Sequence, residues 1–111
     1  KLAVNGNILA KEIKVKTDIS VPDYVFEPNY ELPRLLDIEQ FVKRNKHLPE
    51  VPNAKEIGED GLDLAAMNLI LLKKVEELTL HLIEKDKEIS GIKEGYEVLV
   101  KRLEKVENSQ N

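Results

Sequence analysis

The residues of this chain that could support acid–base or metal chemistry are two histidines and scattered carboxylates. His47 precedes a Leu-Pro pair, and His81 lies in a long stretch of alternating charged and apolar residues. Neither histidine has a second histidine or a carboxylate at the spacing that metal ligands require. For His47 we predict a structural hydrogen bond in place of a catalytic role. The sequence predicts no catalytic residue, no metal site and no cofactor.

The remaining candidates for chemistry are acidic or absent. Glu59 and Asp60 belong to a predicted turn, where carboxylates are normally solvated, while Asp18, Asp23 and Glu27 could together hold a cation only if the fold assembled them. No glycine-rich phosphate loop and no G-x-S-x-G motif is present. The absence of cysteine excludes disulfides, thiol catalysis and cysteine-ligated metals.

Composition favours an extended helical protein over an enzyme with a deep pocket. Of the 111 residues, 34% are charged and 5% are aromatic. The net charge of −4, with lysines interleaved among glutamates, argues against nucleic acid as a partner, because phosphate binding needs a concentrated basic face. No apolar run reaches the roughly 18 residues of a membrane span. Because the chain begins at Lys1 on a strand-like run, we interpret it as the tail end of a longer protein, with any targeting signal upstream.

The C-terminal half carries an uninterrupted heptad pattern. Thirteen positions recur at alternating spacings of four and three residues, eleven of them apolar. Such a pattern over about six heptads predicts a coiled coil, because a lone helix cannot bury this stripe. We call these positions the seam: Leu64, Asn68, Leu71, Val75, Leu78, Leu82, Lys85, Ile89, Ile92, Tyr96, Leu99, Leu103 and Val106.

The positions beside the seam predict the orientation of the helices. In this heptad assignment Val75 and Leu82 occupy a positions, and Leu71 and Leu78 occupy d positions. Residues at g positions then face residues of complementary charge at e positions, five residues later in a neighbouring chain. Such pairs require parallel, in-register helices. Three inter-chain pairs are predicted: His81 with Asp86, Glu88 with Lys93, and Arg102 with Glu107.

The number of strands is less directly encoded. The seam mixes Val, Leu, Ile and Tyr and fits neither a pure dimer nor a pure tetramer pattern, but the apolar e positions Leu72 and Val100 widen the interface and favour three strands. Two interpretations of the polar seam residues stay open. Asn68 and Lys85 could fix the register at a cost in stability, or three Asn68 side chains could bind a central anion or water.

The rest of the chain predicts an α+β fold in which a small head packs around the start of the long helix. The predicted head covers residues 1–62, with strands in 2–16 around the hairpin dipeptide Asn5-Gly6, an extended segment 17–32, a helix 33–46 and a connector 47–62. The long helix is predicted for residues 63–108, capped by Asp63, and is followed by a frayed tail at 109–111. Asn53 is predicted to cap a single turn that Gly58 ends.

Two families share local features with this sequence. Residues 14–19, Lys-Val-Lys-Thr-Asp-Ile, resemble the end of the motif that opens the self-cleaving intramolecular chaperone domains of phage tail spikes and fibres. More closely, residues 2–90 resemble a C-terminal domain of large surface and tail-fibre-like proteins of Bacteroidota. The four segments that carry this likeness are 2–6, 22–26, 47–52 and 67–80.

The resemblance implies assembly without self-cleavage. In the chaperone family a serine nucleophile precedes the lysine that serves as its base, but Lys11 and Glu12 occupy the Ser-Asp positions when Lys16 is aligned with that lysine. We therefore expect a non-enzymatic trimerisation and chaperone-like domain that registers and caps an upstream fibre region. It would form a parallel homotrimer on a cell surface, a virion or another extracellular fibre.

Two other functions follow from single features. A receptor- or glycan-binding tip could use the aromatic residues Tyr24, Phe26 and Tyr30, and an autoprotease could use Ser20 with Lys16. Exposed aromatic side chains would favour the first function, and a cleaved precursor would favour the second.

Overall fold

The chain folds into helices joined by irregular segments. The computed structural model describes residues 1–16, 18, 21 and 23–110. Along the chain follow a short 3-10 helix, Asp23–Phe26, and three α-helices: α1 (Leu35–Asn45), α2 (Ala54–Asp60) and α3 (Leu64–Ser109). The first 16 residues run without regular structure.

The predicted α+β fold is wrong, because none of the described residues forms a strand. Residues 2–16 expose the apolar side chains on which the β prediction rested, among them Leu2, Ile8 and Ile13. A two-stranded hairpin is at best marginally stable alone and needs a third strand or a helix to cover its apolar face. No described residue provides that cover here. Local alternation therefore did not suffice to make a strand.

The predicted extended segment 17–32 also differs from the structure. Residues 23–26 form the 3-10 helix, which buries Val25. Glu27 donates its backbone N–H to the carbonyl oxygen of Tyr24, and Tyr30 donates its own to Glu27. Thr17, Ile19, Ser20 and Pro22 lie outside the described residues.

Helix α1 begins two residues later than predicted, with Arg34 at the N-cap and Pro33 just before it. The helix half-buries Ile38, Phe41 and Val42 on one face. It ends where Lys46 adopts a left-handed conformation (φ 62°) and donates its N–H to the carbonyl oxygen of Val42 over 2.8 Å.

Two side-chain caps predicted from the sequence are confirmed. Asn53 Oδ1 accepts the N–H of Glu56 at the start of α2, and Asp63 Oδ1 accepts that of Ala66 at the start of α3. Helix α2 continues through Gly58, which was predicted to end it, and stops at Gly61 instead. Gly61 has φ 76°, a conformation that glycine adopts without strain.

Helix α3 dominates the molecule. Its 46 residues give it a length of about 69 Å at 1.5 Å per residue. It includes Ser109, which was predicted to fray, and Gln110 is its C-cap, while Asn111 lies outside the described residues. The part of the chain that the structure describes contains no helix that is both long and apolar enough to cross a membrane.

The single chain is elongated and has almost no core. It measures 85 × 32 × 30 Å, with a radius of gyration of 23.4 Å. A compact chain of this length would have a radius of about 13 Å. Val25 is the one hydrophobic residue fully buried among those described. The apolar stripe of α3 therefore remains on the surface of the isolated chain.

Candidate oligomerisation surface

Every seam position of α3 faces solvent in the single chain. The eleven apolar seam residues range in exposure from 45% at Leu71 to 71% at Ile92, and Asn68 and Lys85 are also exposed. Monomeric proteins rarely leave so large an apolar surface uncovered, so this stripe is a candidate interaction surface. The elongated shape and the long helix are compatible with a coiled coil.

The charged residues beside the seam fall into two groups. Asp86, Lys93, Arg102 and Glu107 are exposed on α3 below the head, whereas His81 is buried by its own chain. The sixth residue, Glu88, is also exposed and binds Lys85 of the same helix at 3.2 Å, and no salt bridge joins any two of the six within the single chain. The three inter-chain pairs stay predictions, and the Lys85–Glu88 pair shows how a lysine in the seam can be neutralised locally.

A second face of α3 binds the head. Lys73, Lys74 and Glu77 have side chains only 17%, 14% and 6% exposed, whereas the nearby seam residues Val75 and Leu78 are each 57% exposed. The helical repeat places residues at i, i+3, i+4 and i+7 on one side, so the head occupies a face beside the seam and leaves the seam open.

A network of polar contacts joins the head to this second face. The Tyr30 hydroxyl donates to Glu77 Oε2 over 2.8 Å. Glu50 accepts hydrogen bonds from Lys73 Nζ at 2.8 Å and from Lys74 Nζ at 3.1 Å. Lys74 also reaches Glu77 Oε1 at 3.2 Å. The network therefore runs without a break from Lys73 through Glu50, Lys74 and Glu77 to Tyr30, and each charge in it has an opposite partner.

These contacts shift the protonation of the groups they join. Burial, followed by the hydrogen bond to Glu77, raises the pKa of Tyr30 to about 12. Partial burial acts to raise the pKa of Glu50, but the hydrogen bonds from Lys73 and Lys74 outweigh it, so that this pKa lies below its usual value. The hydrogen bond to Glu50 raises the pKa of Lys73, against the opposing effect of burial. The ionised carboxylate, the ammonium and the neutral phenol are thus the forms that the docked head favours.

Glu50 adopts an unusual backbone conformation in this network. It follows Pro49 in a turn closed by the N–H of Val51 and the carbonyl oxygen of Leu48, and its φ is 71°. Proline at the second position and a positive φ at the third are features of a type II turn, where glycine is preferred. A side chain at this position costs energy, but here it places a carboxylate between two lysines.

The aromatic residues of the head divide between packing and exposure. The rings of Tyr24 and Tyr30 lie 5.8 Å apart, and Lys73 Nζ lies 5.7 Å from the centre of the Tyr24 ring. Tyr30 is half-buried, whereas Tyr24 is 46% and Phe26 is 55% exposed. Two of the three aromatic residues considered for receptor binding are therefore accessible.

The two histidines have structural environments. His47 Nδ1 donates to the carbonyl oxygen of Leu48 over 2.9 Å, and its ring packs edge-on against Phe41 at 5.4 Å. The hydrogen bond predicted for His47 is thus present. His81 is 8% exposed, and its Nε2 lies buried without a hydrogen-bond partner among the described residues. An unpaired buried nitrogen of this kind costs about 1–3 kcal/mol.

His81 borders a small cavity between α3 and the segment 47–52. The cavity has a volume of about 100 Å³ and is far smaller than typical small-molecule pockets, which span roughly 300–1,000 Å³. Its wall combines apolar head residues with the seam residue Leu78, with His81 and with three residues of the polar network: Pro33, Ile38, Leu48, Pro49, Glu50, Lys74, Glu77, Leu78 and His81.

Among the described residues, the carboxylates considered for metal binding do not form a site, and one of the two residues considered for catalysis lies outside the described part of the chain. Lys16 is exposed, and Ser20, its proposed partner, lies outside the described residues. Within residues 1–16, 18, 21 and 23–110, no group of three His, Asp or Glu side chains lies close enough to hold a metal ion. This applies to Asp18, Asp23 and Glu27.

The docking network was not found by sequence reasoning. Lys73 and Glu50 are separated by 23 residues, and Tyr30 and Glu77 by 47, so no local spacing connects them. One local signal was available, since the pair Pro49-Glu50 lies in a proline-rich segment that predicts a turn. It could identify the turn but not the lysines that its carboxylate binds.

Comparisons of this chain with models of protein families, with curated proteins and with solved structures give no match.

Proposed function

We propose that this chain is a non-enzymatic assembly domain, in which the seam of α3 joins three copies in parallel and in register. The observation that carries the proposal is the exposure of all thirteen seam positions while the neighbouring face of the same helix is covered by the head. Each aliphatic side chain that a partner helix buries contributes roughly 1.5–3 kcal/mol. The eleven apolar positions thus provide a strong reason to associate.

Three features support the parallel trimer in particular. The charged residues at e and g, such as Arg102 and Glu107, match only between parallel neighbours. Leu72 is an apolar e position and is 41% exposed, which a third strand would help to cover. The resemblance to C-terminal domains of tail-fibre-like surface proteins also agrees with assembly.

The proposed role is to register and cap a fibrous region upstream in the same polypeptide, on a cell surface or a virion. A coiled coil holds three chain ends at high effective concentration, so that slow pairing between distant chains becomes local. The same physics explains why such a domain needs no catalytic residue.

The stoichiometry is tested by light scattering coupled to size exclusion. The expected mass is three times the 12.7 kDa of one chain. Leu103→Glu, which places a charge in the seam, is expected to yield monomers, whereas Val98→Glu on the outer face leaves the trimer intact. A monomer for the unmodified chain would contradict the proposal, and a dimer would contradict the number of strands.

Orientation is tested with single cysteines, because the natural chain has none. Leu99→Cys lies at a d position, so parallel in-register helices bring two copies of it together and oxidation yields a covalent dimer. Lys101→Cys points away from the seam and serves as the control. Failure of Leu99→Cys to cross-link within an established oligomer would exclude the parallel in-register arrangement.

A second candidate function, a receptor- or glycan-binding tip, is favoured by the exposure of Tyr24 and Phe26. Aromatic side chains on an accessible surface are suited to stack on sugars or to anchor a protein partner. On a glycan array, Phe26→Ala is expected to abolish binding, whereas Leu36→Ala, equally exposed on α1, is not. Absence of binding by the unmodified trimer would contradict a glycan receptor.

A further inference from the structure

The cavity beside His81 lies where the head meets the edge of the seam. Leu78 is a d residue of the seam, and Lys74 and His81 are g residues on its flank, and all three line the cavity. In a parallel coiled coil the g flank of one helix faces the e flank of the next. The cavity wall is therefore continuous with the surface that a neighbouring copy would cover.

The chemistry of the cavity indicates an aliphatic occupant. Its head side is formed by the apolar residues Pro33, Ile38, Leu48 and Pro49 together with Glu50, and Leu48 is itself 44% exposed. A volume of about 100 Å³ admits one branched side chain but is too small for most ligands. Three charged residues, Glu50, Lys74 and Glu77, also line the cavity, but hydrogen bonds already join them to one another.

Helix α3 exposes an aliphatic residue, Ile83, that lies outside the seam. Ile83 occupies a b position, next to the e flank, and is 47% exposed. In an in-register neighbour it lies two residues below the level of His81, and side chains on a helix tilt toward its N-terminus. The side chain of the neighbour's Ile83 thus points to the level of the cavity on the adjacent chain.

We infer that the head of each protomer docks on the next helix, and that the cavity between segment 47–52 and α3 receives Ile83 from a neighbouring copy of this chain. The inference rests on the proposed parallel assembly and adds a second inter-chain contact, outside the seam. In this arrangement the exposed Ile83 of one chain and the cavity beside His81 of the next chain cover each other.

The contact would make the head part of the interface. Its position on the g flank fixes which neighbour it touches, so three heads would form a ring around the upper third of the bundle. Lateral contacts of this kind oppose any shift of one helix against another, because a shift of one heptad would move Ile83 about 10 Å away from the cavity.

A disulfide between Leu48→Cys and Ile83→Cys tests the contact in the otherwise cysteine-free full chain. Two residues rotate a helix by about 200°, so Ile83 lies nearly opposite His81 and its cavity on the same helix. A bond within one chain is thus blocked by the helix itself, since a disulfide needs Cα atoms within about 7 Å.

After oxidation, non-reducing electrophoresis of the double variant is expected to show covalent dimers and trimers. The control pair Leu48→Cys with Val98→Cys, and each single variant, are expected to remain monomeric on the gel. Absence of the ladder from a double variant that is still trimeric by light scattering would overturn the head contact and leave the proposed function intact. A monomeric unmodified chain would overturn both.

A second measurement avoids new covalent bonds. Ile83→Ala is expected to raise the protein concentration at which half of the trimer dissociates by about tenfold. Val98→Ala, which removes a similarly exposed apolar residue far from the head, is expected to change that concentration less than about twofold. Equal effects of the two substitutions would overturn the inference.

Discussion

At the scale of single residues, Glu50 shows how a strained backbone can be maintained by side-chain contacts. A left-handed conformation costs a non-glycine residue about 1–2 kcal/mol. The hydrogen bonds that Lys73 and Lys74 donate to the Glu50 carboxylate offset this cost. Since Glu50 is nearly half exposed, these ion pairs are partly screened by water, and the two effects are of similar size.

Comparison of Glu50→Ala with Glu50→Gly separates the two effects. Both substitutions remove the carboxylate, but only glycine relieves the positive φ of 71°. We expect the alanine variant to be less stable than the glycine variant by about 1 kcal/mol in urea denaturation at one fixed protein concentration. Equal stability of the two variants would show that the turn is not strained.

Tyr30 provides a second prediction, on pH. Its pKa, raised by burial and by the hydrogen bond to Glu77, is about 12 in the folded chain, against an ordinary 10.0. Because the docked head favours the neutral phenol, Tyr30 contributes its stability fully below pH 10.0 and loses that contribution as the pH rises toward 12. Tyrosinate absorbance should show a late transition that Tyr30→Phe removes. Persistence of the late transition in that variant would contradict the assignment.

The acidic side of the same network follows the opposite rule. The pKa of Glu50 is lowered in the folded chain by Lys73 and Lys74, although burial opposes this. Its contribution is therefore complete above the ordinary carboxyl pKa of 4.5 and is lost as the pH falls through the lowered pKa of the folded chain. The docked head is thus most stable from weakly acidic to weakly alkaline pH.

At the scale of elements, α3 has two different faces, of which one binds the head and the other stays exposed. The N-terminal part of α3 binds the head through the face that carries Lys73, Lys74 and Glu77, while the seam stays exposed along the whole helix. The two faces adjoin at Leu78 and His81. Docking of the head is therefore compatible with the proposed assembly, and it brings the head to the edge of the seam.

Gly91 and Gly95, in the C-terminal half of α3, are expected to weaken the helix. A Cβ atom at Gly91 or Gly95 would meet no other atom within 4 Å. Alanine at either position is expected to stabilise the assembly by about 1 kcal/mol per helix, because it restricts the unfolded chain and favours the helix. Thermal unfolding followed by circular dichroism measures the change.

Gly61→Ala is the matched control for these substitutions. Gly61 also has open space around it, but its φ is 76°, so that alanine there is strained. The control should lower the melting temperature while Gly91→Ala raises it. A fall in both would show that the lower part of α3 needs its glycines.

At the scale of the whole molecule, we expect stability to come largely from the proposed association. One buried Val25 and a short polar network cannot offset the conformational entropy of ordering more than a hundred residues. The elongated single chain is in this respect an incomplete folding unit. Folding and assembly are expected to be coupled.

This coupling predicts a melting temperature that depends on protein concentration. Mass action stabilises a trimer as concentration rises, so the melting temperature should increase by several degrees for each tenfold increase. The seam variant Leu103→Glu should lose this dependence and melt at lower temperature. A melting temperature independent of concentration would show that the single chain is stable by itself.

The sequence alone determined those features that depend on local spacing. The seam from Leu64 to Val106 follows from a repeat of 3.5 residues, and the caps Asn53 and Asp63 follow from side chains that bind the backbone three residues ahead. These features need no knowledge of distant parts of the chain. The structure accordingly contains one continuous helix where the repeat was found.

Tertiary structure decided the features that depend on distant partners. Strands were predicted for residues 2–16 from alternation, but strands exist only when another strand binds their backbone, and none of the described residues does so. Likewise, Glu50 meets Lys73, and Tyr30 meets Glu77, because the turn at Pro49 and the 3-10 helix place them on one face of α3. A periodic pattern reports which face of a helix is apolar, but only the packed chain shows that the head covers the adjoining face and leaves the seam exposed.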